Sequence, residues 1–331
     1  MRLAVIGGGS WGSALTIVLA PRFQSIRQWI FEKDLASQIQ ETRENDVYLP
    51  GFKLPPNAAA GTSLGWALEE AEIVLGVMPS HHARRLYVDL LPHAKETMTF
   101  VSATKGIETG SLLRISQVMK TALAPRFTPR IAVLSGPTFA REVAQGEPAA
   151  VVVASEDSEV ASQVQTAFSG PTFRLYTNQD TVGVEVAAAL KNVIAIGAGV
   201  CRGLGLGNNT QAALITRGLA EITRLAIAMG GQPKTLAGLA GLGDLVLTCN
   251  GDLSRNRMVG IELAKGRTLA EILGSMSMVA EGVETCDAAI ALGAEYGVDL
   301  PITNEMHAVL HQAKSPRQAI RDLMERSLKE E

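Results

Sequence analysis

Cysteine is scarce in this chain of 331 residues: Cys201, Cys249 and Cys286 make an odd number, all in the second half and with no CxxC pair. A disulfide framework is therefore not expected, and a reducing, cytoplasmic compartment is. Blocks of like charge are missing too. With 30 Lys and Arg against 33 Asp and Glu, a formal net charge of -3, the chain offers no electrostatic footprint for nucleic acid or an anionic membrane, and neither is expected as a partner. The apolar run at residues 1–6 meets three glycines and is too short for a signal peptide or a membrane span. The longest apolar stretch, 184–200, is broken by Glu185 and Lys191, so it is expected as a buried core helix, with no membrane insertion. Internal repeats and low-complexity segments are absent, and Pro50, Pro55 and Pro56 mark an irregular loop.

What is present is a chain long enough, at 47% apolar, for two domains. Short β-rich runs at 3–6, 26–31, 73–78, 99–103, 131–134, 150–154 and 173–176 alternate with helical patterns. That rhythm predicts a Rossmann-type α/β domain with a doubly wound, mostly parallel sheet. After Asn178 the β-branched runs stop, and Ala, Leu, Gly and Met recur at helical spacing through 180–199, 210–229, 268–273, 285–296 and 304–312. The division is placed at 1–179 for dinucleotide binding and 180–331 for an all-α substrate-binding and catalytic domain.

Gly7-Gly8-Gly9-Ser10-Trp11-Gly12 spells GxGxxG between the first strand and a helix-prone run. Gly7 suits the tight turn, Gly9 the close approach of a pyrophosphate and Gly12 the packing of helix on strand, while the helix N-terminus supplies N–H donors. Glu32, 20 residues beyond Gly12 and expected at the end of the second strand, suits a ribose 2′-hydroxyl. The same residues also read G-x-S-x-G, but a hydrolase elbow follows several strands rather than the first. A P-loop fails because Ser13 stands where Lys is required. A purely structural glycine turn is the remaining alternative.

Lys191 lies in an almost wholly apolar helical run, where an ammonium is costly without a partner. Either its stem snorkels to water or a desolvated amine trades protons near neutrality. Asp244, in the glycine-bounded 241–245 stretch, is its natural counter-ion. Lys105 follows a strand at its carboxyl end, as a surface lysine or a ligand contact. The stretch 135–140, with Gly136 and Thr138, offers N–H groups and hydroxyls to an anion, or is merely a helix start. Ser254-Arg255-Asn256-Arg257 suits a phosphate monoester, or is a solvated helix start. His307 and His311 lack a zincin Glu and a third ligand, so no metal site is expected; His81 lines a coenzyme cleft or starts a helix.

Together these residues resemble the bacterial NAD(P)-dependent glycerol-3-phosphate dehydrogenases. The resemblance is carried by GGGSWGSAL at 7–15, VMPSH at 77–81, ATKGIE at 103–108, SGPTFAREV at 135–143, LKNVIAIGAGV at 190–200, ALITRGLAE at 213–221, GLAGLGDLVLTC at 238–249, SRNR at 254–257, VAEGVET at 279–285 and LPIT at 300–303. It implies a homodimer that uses NADH or NADPH to interconvert dihydroxyacetone phosphate and sn-glycerol 3-phosphate, a phospholipid precursor. It implies Lys191 as proton acceptor and Lys105 in contact with coenzyme and substrate. Gly136, Thr138, Asp244, Ser254, Arg255 and Asn256 match substrate positions; Ser10, Trp11, Ala140, Arg255, Val279 and Glu281 match coenzyme positions. Where NADPH-using members tend to carry a basic or imidazole side chain, this chain has Phe31, followed by Glu32. NADH is therefore expected to be at least tolerated. A related dehydrogenase of 3-hydroxyacyl-CoA or 6-phosphogluconate type, or a non-catalytic NAD(P)-sensing module, are the alternatives.

Overall fold

The computed structural model describes residues 1–276, 279–328 and 330. Eight strands form one sheet: β1 (Arg2–Ile6), β2 (Ser25–Trp29), β3 (Ala58–Gly61), β4 (Ile73–Gly76), β5 (Thr99–Ser102), β6 (Arg130–Ser135), β7 (Ala149–Ala154) and β8 (Phe173–Asn178). Their order is β3-β2-β1-β4-β5-β6-β7-β8, and each neighbouring pair is parallel except β6 with β7. Strands β1 to β6 thus reproduce the doubly wound dinucleotide order, with the switch point between β1 and β4. Near-continuous apolar runs such as Leu3-Ala4-Val5-Ile6 and Ile73-Val74-Leu75 form the central strands because helices cover both faces.

Two details depart from the sequence expectation. Strand β3, Ala-Ala-Ala-Gly, was not expected, since alanine and glycine favour strands poorly. It forms at the sheet edge on β2, where a single ladder and the cover of helix Lys33–Thr42 suffice. Strand β2 ends at Trp29, so Phe31 and Glu32 lie beyond it, with Glu32 as the residue before the helix Lys33–Thr42.

Beyond β8 the described residues are helical. Helix Thr181–Gly203 starts under an Asp180 cap whose side chain accepts from Gly183 N, and it is buried over nearly its whole length. It is long and apolar enough to cross a membrane by composition, but helices Asn208–Ala228, Arg255–Ala264, Glu281–Tyr296 and Pro301–His311 enclose it. Its closest neighbour is Arg255–Ala264, because Gly199, Gly203 and Gly260 remove side chains from the crossing. Toward the sheet, Glu185 accepts from Ser116 N at 2.7 Å and Ser116 Oγ at 2.6 Å and pairs with Arg114. That buried carboxylate joins the long helix to the N-terminus of helix Ile115–Leu123.

Candidate active site

The carboxyl edge of the sheet gathers the loops singled out in the sequence. Gly7 turns with φ +139°, and a Cβ there would lie 2.1 Å from the Val77 carbonyl oxygen. A Cβ on Gly12 would lie 2.3 Å from the Gly7 carbonyl oxygen, so helix Ser10–Leu19 can dock on its own loop only without a side chain at that position. Gly9, in contrast, has nothing within 4 Å of a built Cβ. Open space above Gly9, at the mouth of a helix, is the cradle a pyrophosphate needs, and the residues present fit a nicotinamide dinucleotide. The loop is held from behind: Gln28 Nε2 donates to the Gly7 carbonyl at 2.9 Å and Asn45 Nδ2 to the Gly8 carbonyl at 2.7 Å. Trp11 sits on the first turn with its indole Nε1 buried and without a hydrogen-bond partner among the described residues.

At the same edge, Asp244 is fully buried and joins two lysines. Lys191 Nζ donates to Asp244 Oδ1 at 2.8 Å, and Lys105 Nζ to Asp244 Oδ2 at 2.8 Å. Lys191 also donates to Thr248 Oγ1 at 2.7 Å, while Thr248 donates to the Asp244 main-chain carbonyl at 2.6 Å. Lys105 makes a further bond to the Gly136 carbonyl at 3.2 Å, which also accepts from Thr138 Oγ1. Each group comes from a different element: Lys105 from the loop after β5, Gly136 from the loop after β6, Lys191 from mid-helix. Asp244 opens helix Asp244–Asn250 straight out of a π-helical turn at Leu239–Gly243, which is possible because Gly241 lies against the Leu236 carbonyl.

Burial pulls the Lys191 ammonium down to about 8; Asp244 opposes that shift and the neighbouring Lys105 adds to it. Burial disfavours the Asp244 carboxylate, but the two ammonium groups outweigh it and hold the carboxyl below its usual range. The site is therefore one fixed negative charge between two cations, one of which sheds its proton near neutrality.

Ser254, Arg255 and Asn256 stand where helix Arg255–Ala264 begins. Ser254 Oγ accepts from Arg257 N at 3.3 Å, and Asn256 Oδ1 accepts from Gly282 N at 2.9 Å. Arg255 donates no hydrogen bond to another described residue. Its guanidinium, partly buried beside Glu281, is left with its fork unspent. Glu281 accepts from Ser80 Oγ at 2.7 Å and Ser80 N at 3.3 Å, tying the loop after β4 to helix Glu281–Tyr296; burial lifts its pKa. His81 faces Glu284, Nδ1 to Oε2 2.8 Å, from the short turn Ser80–His82. Ala140 opens helix Ala140–Ala144, and Val279 lies exposed just ahead of Ala280-Glu281.

The structure thus brings Lys105, Lys191, Asp244, Gly136 and Thr138 together, and Arg255, Asn256 and Glu281 into a second group. Sequence reasoning missed Thr248, whose signal was its place four residues after Asp244 on one helix, and Ser80, which nothing local marked out. Glu32 joins neither group: its Oε1 accepts from Tyr48 OH at 2.9 Å. His307 and His311 both direct Nε2 at Asp287 Oδ1, at 3.2 and 3.4 Å, and no metal-holding group of three such side chains occurs among the described residues.

A doubly wound sheet with an open glycine cradle, and a lysine-aspartate-lysine cluster that joins the sheet's carboxyl edge to the helical domain, define a nicotinamide-nucleotide dehydrogenase. Comparison with known proteins narrows the class. Residues 2–161 match the family model for the N-terminus of NAD-dependent glycerol-3-phosphate dehydrogenase, and residues 180–321 the model for its C-terminus. A glycerol-3-phosphate dehydrogenase [NAD(P)+] of Koribacter versatilis is 57% identical over 327 residues, 98% of this chain and 97% of that protein. One from Geobacter metallireducens is 51% identical over 330 residues, 100% of this chain and 98% of that protein. A crystal structure of glycerol-3-phosphate dehydrogenase from Coxiella burnetii superposes with a TM-score of 0.94 at 38% identity, covering 98% of this chain and 99% of that one. The chain belongs to the NAD(P)-dependent glycerol-3-phosphate dehydrogenase family.

Proposed function

We propose that this chain is an enzyme that interconverts dihydroxyacetone phosphate and sn-glycerol 3-phosphate, with NADH or NADPH as coenzyme. The observation that carries this reading is the pairing of Asp244 with both Lys191 and Lys105 at 2.8 Å; the Arg255 guanidinium, at the start of helix Arg255–Ala264 and beside Glu281, adds a group suited to a phosphate. The coenzyme, when bound on the glycine loop, supplies or accepts the hydride.

The chain's own residues supply the rest. Lys191 returns a proton to the carbonyl oxygen during reduction and removes it from the hydroxyl during oxidation; an amine poised near pH 8 serves both directions. Lys105 holds positive charge against the same oxygen as it becomes an alkoxide. Asp244 fixes both ammonium groups, and Thr248 sets the direction of the Lys191 amine. Arg255, with Ser254 and Asn256 at the helix start, anchors the substrate phosphate through charge-assisted bonds, and Gly136 and Thr138 line the substrate on the sheet side. Gly7, Gly9, Ser10, Trp11, Gly12, Glu32, Lys105, Ala140, Arg255, Val279 and Glu281 form the coenzyme side.

The same reading divides the chain at residue 179 into a coenzyme domain and a substrate domain, and makes it a cytoplasmic homodimer that feeds phospholipid synthesis. The three free, buried cysteines support a reducing compartment. The decisive experiment follows absorbance at 340 nm with dihydroxyacetone phosphate and each coenzyme. Coenzyme oxidation that depends on the phosphorylated ketone is the expected result; none with either coenzyme would sink the proposal.

A further inference from the structure

The segment between helix Lys33–Thr42 and β3 takes no part in the chemistry above, yet its polar groups converge on the coenzyme loop. Asn45, 1% exposed, donates from Nδ2 to the Gly8 carbonyl at 2.7 Å and to Ser13 Oγ at 2.9 Å, and its Oδ1 accepts from Tyr48 N at 3.0 Å. Tyr48 then donates its hydroxyl to Glu32 Oε1 at 2.9 Å. A continuous line of bonds therefore runs from the glycine loop through Asn45 and Tyr48 to the Glu32 carboxylate.

An exposed glutamate could swing away from an incoming phosphate; a tethered one cannot do so without losing a bond. The cation nearest in sequence on this segment is already committed: Arg43 donates to the carbonyls of Leu54, Pro55 and Ala58. Phe31, 70% exposed beside Glu32, brings no charge. Lys33 is exposed on the other side of Glu32 and is the natural rival, as a partner for a 2′-phosphate.

We propose that Tyr48, moored through Asn45, is a positioning residue that holds Glu32 against the ribose 2′-hydroxyl and makes the protein discriminate in favour of NADH over NADPH. This rests on the reading of the glycine loop as a nicotinamide dinucleotide site. Burial, then the hydrogen bond to Glu32 and lastly its charge, raise the Tyr48 pKa, which keeps its hydroxyl a donor.

The test is calorimetric titration of NADH and of NADPH into the full-length protein without substrate, for the parent, Tyr48→Phe, Glu32→Gln and the double variant. The parent should bind NADH more tightly. Tyr48→Phe, which keeps the ring, should weaken NADH roughly three- to tenfold and leave NADPH unchanged or tighter. Glu32→Gln, at an exposed position, should narrow the ratio further, and adding Tyr48→Phe to it should change nothing more. Tighter NADPH binding by the parent, equal weakening of both coenzymes by Tyr48→Phe, or additive effects in the double variant would overturn the proposal. A shifted ratio alongside no turnover of dihydroxyacetone phosphate would support this inference while removing the catalytic one.

Discussion

Gly199 and Gly260 meet backbone to backbone: a Cβ on Gly260 would lie 2.9 Å from the Gly199 Cα and 1.9 Å from the Ile196 carbonyl oxygen. This contact sets the start of helix Arg255–Ala264, with Arg255 and Asn256, against the helix that carries Lys191. Gly260→Ala forces those helices apart. The expected outcome is a loss of about 1–3 kcal/mol in urea unfolding, as for other overpacked cores, together with a raised KM for the phosphorylated substrate. Unchanged values of both would show that the crossing yields without cost.

Removing the proton carrier should separate chemistry from binding. Lys191→Met is expected to lower kcat by about 10²–10⁴-fold, the usual span for a general acid-base group, while the coenzyme dissociation constant measured by titration stays near the parent value. Turnover close to the parent would remove Lys191 from the proton path.

The two members of that ion pair should differ in stability cost. Lys191→Met leaves Asp244 paired with Lys105, whereas Asp244→Ala leaves two ammonium groups together without a counter-charge. Breaking a buried pair in that way costs about 3–5 kcal/mol. Chemical denaturation should therefore rank Asp244→Ala well below Lys191→Met, and the reverse order would refute the bridging role.

The pH dependence follows from the depressed Lys191 pKa of about 8. Ketone reduction consumes the ammonium form, so its kcat/KM should fall as pH rises through about 8. Alcohol oxidation needs the free amine, so its kcat/KM should rise through the same interval. Profiles measured in both directions should inflect there with opposite sign, and flat profiles would place the titrating group elsewhere.

Arg255→Ala should raise the KM for dihydroxyacetone phosphate and lower kcat/KM by roughly 10- to 100-fold, the worth of hydrogen bonds to a charged group. Unphosphorylated dihydroxyacetone, which has no phosphate for the guanidinium to hold, should lose much less on the same substitution, only the share that Arg255 lends to the coenzyme. Equal losses for both ketones would mean that Arg255 serves only the coenzyme or the fold and does not hold the substrate phosphate.

Local pattern alone was enough for the alternation of strand and helix, for the glycine loop after β1, and for the suspicion that an ammonium among aliphatic side chains at Lys191 needs a partner. These are short-range matters: periodicity, turn chemistry and the desolvation cost of a charge are legible within a dozen residues. Strand β3 was not, because an alanine run becomes a strand only when β2 presents a ladder to it. Nor was the second lysine on Asp244, since Lys105 and Asp244 stand 139 positions apart and meet only after the sheet edge and the helical domain have closed on each other. Sequence could name the charged groups, but their pairing, and with it the lowered Lys191 pKa, is a property of distance and burial that only the packed fold decides.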